Sequence, residues 1–315
     1  ASGDANSSIN YTSGGTLTIL GASRTIDFSD ITGKATIATS TANASSLTFN
    51  THITASALTF GGTGSEITFN GDTNISAINF TASDQVLNFN AGGTSSINFK
   101  TFNGVVNAGP STLNSAITAD KLNTTGSLIV SGEGEFVQDA QIGTTITQRL
   151  AEVKINSGIS ATFNKDVYSQ NIDILGPTSF ASLVRTDTIN VSDVAASFDN
   201  DVYGNITITK AGGVINTTSN GYTIHGNVDN NTESDNGTLN LAGTTVTGTI
   251  GGSYSLSLVD VQGDSTFQST VNAVTTKVES GITAYFGGDV NGKIALYSGT
   301  ASLGGMTVNG TIDGN

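Results

Sequence analysis

The residues best suited to chemistry crowd into one stretch, Asn227-Val228-Asp229-Asn230-Asn231-Thr232-Glu233-Ser234-Asp235-Asn236-Gly237. Three carboxylates, Asp229, Glu233 and Asp235, are interleaved there with amide and hydroxyl oxygens. Ca²⁺ takes about six to eight oxygen ligands of these types, so calcium is the cofactor these three residues suggest. Their spacing matches neither the EF-hand loop nor the Gly-Gly-x-Gly-x-Asp nonapeptide of calcium-binding β-rolls. The competing reading is a solvated loop between two strands.

Other groupings are sparser. His52 and His225 each lack a cysteine, a second histidine or an acidic partner at ligand spacing, which argues against zinc. His225 follows Tyr222-Thr223-Ile224, and strand alternation places it on an outward face or in a turn. Serine and aspartate are plentiful, but no Gly-x-Ser-x-Gly elbow marks a nucleophile. Asp199 with Asp201, Asp187 with Asp193, and Glu133 with Glu135 are the carboxylate pairs that could serve glycoside hydrolysis, which needs two carboxyls roughly 5–10 Å apart. The lack of Trp, with only 7 Tyr, removes the usual sugar-stacking surfaces. A polysaccharide lyase or hydrolase is therefore the third-ranked function, and the chain is expected not to be an enzyme.

Composition narrows the classes further. Acidic residues number 25 and basic residues 11, a formal charge of −14. Nucleic acid is excluded as a partner because phosphate binding depends on Lys and Arg clusters. The longest apolar runs are about three or four residues, such as Leu128-Ile129-Val130, so no membrane insertion is expected. Cysteine is absent, which removes disulfide scaffolds and thiolate metal sites and suits an exported protein. The opening Ala1-Ser2-Gly3, without Met, is what removal of a signal peptide leaves, and an extracellular or cell-surface location is expected. Charged residues are only 11%, so Thr, Ser and Asn must meet the solvent. Apolar content of 36%, placed at regular intervals, separates the chain from a disordered one.

Those intervals define the elements. An apolar residue, usually Thr or Asn, then Phe or Ile recurs as Leu17-Thr18-Ile19, Ile26-Asp27-Phe28, Ala35-Thr36-Ile37, Leu47-Thr48-Phe49, Leu58-Thr59-Phe60, Ile67-Thr68-Phe69, Ile78-Asn79-Phe80, Leu87-Asn88-Phe89 and Ile97-Asn98-Phe99. The first and third side chains of such a triplet share one face of a strand. Between triplets lie turn-forming stretches such as Gly61-Gly62-Thr63-Gly64-Ser65 and Asn70-Gly71-Asp72. Two strands per circuit predict an all-β fold, a parallel β-helix or β-solenoid with about 17–21 residues per circuit. The default hand of parallel crossovers makes it right-handed. The recurring Phe predicts one interior ladder of stacked rings. An antiparallel sandwich or barrel is the alternative fold.

Taken in order, residues 1–16 are polar and Gly-rich, an N-terminal cap or assembly segment. The ten-residue strand repeat occupies 17–102. The rhythm loosens over 103–160, where Pro110 marks an edge or turn. There Gln148-Arg149-Leu150-Ala151-Glu152-Val153-Lys154 is the only run of helix formers; it reads as a strand, with a short helix as the alternative. From 161 to 315 a repeat of 17–20 residues takes over. Its unit is seen in Phe163-Asn164-Lys165-Asp166-Val167 with Ile172-Asp173-Ile174, and in Phe198-Asp199-Asn200-Asp201-Val202 with Ile206-Thr207-Ile208. Phe286-Gly287-Gly288-Asp289-Val290 with Ile294-Ala295-Leu296 repeats it again.

By this Phe-x-x-Asp-Val unit with its following Ile-x-Ile or near equivalent, by the Asn/Thr/Gly richness and by the missing Cys, the chain resembles autotransporter passenger domains. Surface antigens of the rickettsial outer membrane protein B type are the nearest likeness, and Asn/Thr-rich bacterial surface-layer and surface-fibre proteins are similar as well. The resemblance implies an exported parallel β-helix acting in adhesion or surface coating. With no membrane-anchoring β-barrel after residue 315, a passenger of that kind would be a cleaved product or a fragment. The function expected is a structural protein that self-assembles into a cell-surface layer or fibre, as a homo-oligomer joined through terminal or edge strands. The alternative is a monomeric adhesin whose partners are cell-surface glycans.

Overall fold

The computed structural model describes residues 8–19, 23–27, 30–39, 43–59, 61–120, 125–232 and 235–314. Every strand ladder is parallel, and no helix occurs among the described residues. The chain is an all-β, parallel β-solenoid with about 20 residues per turn. It divides into two compact units, Ala1–Gln170 and Asn171–Asn315.

In the first unit one sheet stacks Ser23–Ile26, Ser46–Phe49, Glu66–Phe69, Gln85–Phe89, Gly104–Ala108, Ser127–Val130 and Leu150–Ile155 in that order. The other sheet begins with Ser8–Ile19 on Asp30–Thr39 and ends with Gly134–Gln138 on Ile159–Phe163. Successive triplets therefore belong to different sheets, because a ten-residue step is half a circuit.

That assignment corrects the single ladder of Phe rings: there are two. Phe49, Phe69 and Phe89 lie in register, with ring centroids 5.5 and 5.3 Å apart. Phe80 and Phe99, at 4.5 Å, belong to the other sheet's side of the core. All five are essentially inaccessible. Phe28 and Phe60 lie outside the described residues. In this stack Leu47, Ile67 and Leu87 form a second apolar lane beside the Phe lane, and Thr48, Thr68 and Asn88 point outward.

The stretch 103–160 keeps the same ladders. Gln148–Lys154 leads into the strand Leu150–Ile155, as its β-branched surroundings favour. The circuits are longer here than the 17–21 residues expected: Leu113 stands opposite Gln138 and Val130 opposite Ile155, steps of 25. Part of the extra length is a tight reversal at Thr145–Gln148, where the Gln148 amide donates to the Thr145 carbonyl at 3.2 Å. Insertions lengthen the corners and leave the lanes intact.

Corners are held by buried polar side chains. Gln85 is fully buried; its Oε1 accepts from the amides of Thr81 (2.9 Å) and Ala82 (3.2 Å), and its Nε2 donates to the Gly61 carbonyl at 2.6 Å. Every polar group it carries is thereby satisfied, which is what burial of an amide demands.

In the second unit one sheet stacks Ala195–Phe198, Val214–Thr217, Thr238–Ala242, Leu256–Gly263, Val271–Val278 and Val290–Leu296 in order. The other contains Val184–Val191, Val202–Ile208, Thr223–His225 with Val228–Asn230, Thr245–Val246, Ser265–Phe267, Thr283–Phe286 and Thr300–Leu303. Ring stacking continues, with Phe180 and Phe198 at 5.3 Å and nearly parallel, and Phe267 and Phe286 at 5.0 Å.

Three substitutions test this packing. Phe69→Ala removes the middle ring of a three-ring ladder and should lower unfolding free energy by about 3–5 kcal/mol in denaturant titration. Gly126 has φ +80°, and a Cβ there would stand 2.3 Å from the Phe99 ring. Gly126→Ala should therefore cost about 2–4 kcal/mol, while Gly64→Ala, where nothing lies within 4 Å, should cost less.

Candidate functional site

Asp229 sits in the strand Val228–Asn230, half-buried. Its Oδ1 accepts from the amides of Asn230 (2.8 Å) and Ser253 (2.9 Å), and its Oδ2 accepts from the Ser253 hydroxyl at 3.0 Å. Next to it Asn230 is fully buried, and its Oδ1 accepts from the Thr232 amide at 2.9 Å and hydroxyl at 2.6 Å. Asn236 Nδ2 in turn donates to the Thr232 hydroxyl at 3.0 Å. Asp235 is exposed, and Glu233 lies outside the described residues. The side-chain oxygens of Asp229 and Asn230 thus bind the loop to itself and to the next rung, and no group of three His, Cys, Asp or Glu able to hold a metal ion occurs among the described residues.

The two carboxylates of the pair Asp199 and Asp201 have different surroundings. Asp201 Oδ1 accepts from the Thr223 amide at 2.8 Å, tying one rung to the next. Asp199 Oδ1 is buried without a hydrogen-bond partner.

His225 lies in the strand Thr223–His225 at the end of an outward row that the sequence analysis did not single out. The Arg185 guanidinium lies 4.0 Å from the centre of the Tyr203 ring, and the other face of the row continues with His225 stacked 4.1 Å from Tyr203. Register pairs Arg185 with Tyr203 and Tyr203 with His225. The signal was present as an apolar residue followed by a planar side chain in Val184-Arg185, Val202-Tyr203 and Ile224-His225, one copy per circuit. Because the ring faces cover one another, the row presents edges and not a flat platform.

Two groups of charged side chains are paired locally. Asn98 donates to Asp120, and the Lys100 ammonium stands 3.2 Å from it; the Asn98 hydrogen bond foremost, opposed by burial and aided by Lys100, holds the Asp120 carboxyl below its ordinary 3.8. Lys277 donates to Glu279 and faces Asp260 at 3.7 Å; these partners, Glu279 foremost, raise its ammonium above 10.5.

A different kind of feature occurs in the rung formed by Thr300–Leu303, Val308–Asn309 and Ile312–Gly314. Leu303, Val308 and Ile312 stand opposite Phe286, Val290 and Ile294. Those three partners are buried, yet Ile312 is 50% exposed. The rung pairs on one side only, and no described element covers its apolar lane. Outward ladders run up to the same rung: Asn309 donates to Asn291 at 2.8 Å, and Lys293 pairs with Asp313 at 2.7 Å. In the first unit Ser8–Ile19 likewise pairs on one side only, with Asp30–Thr39.

Comparison with protein-family models, with curated proteins and with solved structures finds no match.

Asp229→Ala should lower stability by about 1–2 kcal/mol through the loss of its charge-assisted bonds to two amides and a hydroxyl; thermal unfolding checks this. In a second test, NMR titration should place the Asp120 midpoint below that of an ordinary aspartate and show it rising in Asn98→Ala. A depressed carboxyl contributes stability above the unfolded-state value, and that contribution disappears as the pH falls through the folded-state value.

Proposed function

We propose that this chain is an extracellular structural protein that self-assembles into a cell-surface layer or fibre. The observation that carries the proposal is the in-register parallel stack, in which Ser46–Phe49, Glu66–Phe69 and Gln85–Phe89 pair one on the next and match side chain to like side chain. An edge strand with free amides and carbonyls is a template for another strand, and copies of such a stack would join through terminal or edge strands by parallel addition.

The outward faces support the same reading. Asn50, Asn70 and Asn90 bond one to the next at 2.7 and 2.8 Å, as do Asn107 and Asn88 at 2.7 Å. Such ladders stiffen a surface and leave few charges to oppose close approach of copies. The formal charge of −14 remains, and salt that screens it should favour assembly. The absence of Cys and the resemblance to surface-layer and passenger proteins support placing this function outside the cell.

Sedimentation velocity provides the test. Species heavier than the 31.9 kDa monomer should grow over roughly 1–100 µM protein and with added salt. Monomers alone at every concentration and salt would overturn the proposal.

A further inference from the structure

One inward lane of the first unit departs from its own pattern. Read by register it runs Ile31, Ile53, Thr73, Gly93 and Leu113, so two successive rungs give up a large apolar side chain. Thr73 is 3% exposed, and its hydroxyl is buried without a hydrogen-bond partner. Gly93 lies over it: a Cβ there would stand 2.5 Å from Thr73 Oγ1. A buried hydroxyl left unpaired costs about 1–3 kcal/mol, so its presence in an apolar lane needs a reason.

Above this point the surface opens into a groove of about 680 Å³. His52, Asp72, Gly92 and Thr112 stand along one side of the lane, and Asn74, Thr94 and Asn114 along the other, each set one residue per rung. The groove therefore crosses the rungs, presenting polar side chains at the strand spacing of roughly 4.8 Å.

The bonding in the groove differs from that around it. On the neighbouring faces asparagines are tied rung to rung, as in Asn50, Asn70 and Asn90, or to a carboxylate, as with Asn98 and Asp120. Asp72, Asn74 and Asn114 make no side-chain hydrogen bond with any described residue. Two amides with both donors and acceptors and a carboxylate acceptor are thus turned to solvent within one concave strip, beside the exposed imidazole of His52, whose Nε2 is 3.1 Å from the Thr54 hydroxyl.

We propose that this groove binds an extended, neutral saccharide through its hydroxyl groups. Hydroxyls both donate and accept, which matches the mixed amide, carboxylate and imidazole lining. An apolar ligand would find no aromatic wall, and a polyanion would meet Asp72 and a chain carrying −14. A multivalent cation would find one carboxylate only. The inference is independent of the assembly reading, since none of these residues belongs to the strands proposed to join copies.

The test uses the wild-type chain with malto-, cello-, manno- and chito-hexaose, and a heparin-derived hexasaccharide as the anionic probe, followed by saturation-transfer NMR and calorimetry. At least one neutral hexaose should bind with a dissociation constant on the order of 0.1–1 mM, the range expected of hydrogen bonding without stacking. Asp72→Ala, and separately Asn74→Ala combined with Asn114→Ala, should weaken it about tenfold or more. All three positions are exposed, so the melting temperatures should match wild type. The inference fails if no neutral hexaose saturates below about 10 mM, if the variants bind as wild type does, or if the heparin fragment binds equally well.

Discussion

Parallel pairing in register, one circuit apart, is the constraint on which the rest of this structure depends. It sets every side chain about 4.8 Å from its equivalent on the next rung, so each lane must be compatible with itself. Phe meets Phe in Phe49, Phe69 and Phe89, and Asn meets Asn in Asn50, Asn70 and Asn90. Aromatic faces and paired amides satisfy that condition. Like charges do not, because directly opposed they repel. A chain with only 11% charged residues accords with the same rule, and Asp260 stands opposite the oppositely charged Lys277.

Lanes and corners obey different rules, which is why circuit length varies while the core does not. Val259 stands 17 residues from Thr276, and Val130 stands 25 from Ile155, yet both pairs close the same kind of parallel ladder. Added residues leave the ladder as turns such as Thr145–Gln148 or are fixed by buried amides such as Gln85. A corner must satisfy its backbone groups locally, but it need not match the corner above.

The strands and their parallel stacking were legible because two periodicities coincide in the sequence. Alternation marked each triplet as strand, and the recurrence of triplets marked the circuit. What alternation cannot specify is which sheet a triplet joins. Leu47-Thr48-Phe49 and Ile78-Asn79-Phe80 look alike, but the first falls in one sheet and the second at the end of the other, and one ring ladder became two. The row Arg185, Tyr203, His225 was obscured for a related reason: steps of 18 and 22 differ from each other, and the planar residues share no chemical type.

Sites in such a fold are harder to read than strands, because chemistry concentrated along the chain and chemistry concentrated in space are nearly independent. The loop at 227–237 gathers three carboxylates in sequence, and the oxygens of Asp229 serve to fasten one rung to another. In the groove Asp72, Asn74 and Asn114 are unremarkable singly, and Asn74 and Asn114 come together only because 40 residues of chain make two circuits. The feature that distinguishes the groove is a break in self-compatibility: a lane of Ile and Leu interrupted by Thr73 and Gly93. A solenoid can omit one apolar side chain from one lane and still be held by the rungs on either side, so a local concavity can form there without loss of the ladder.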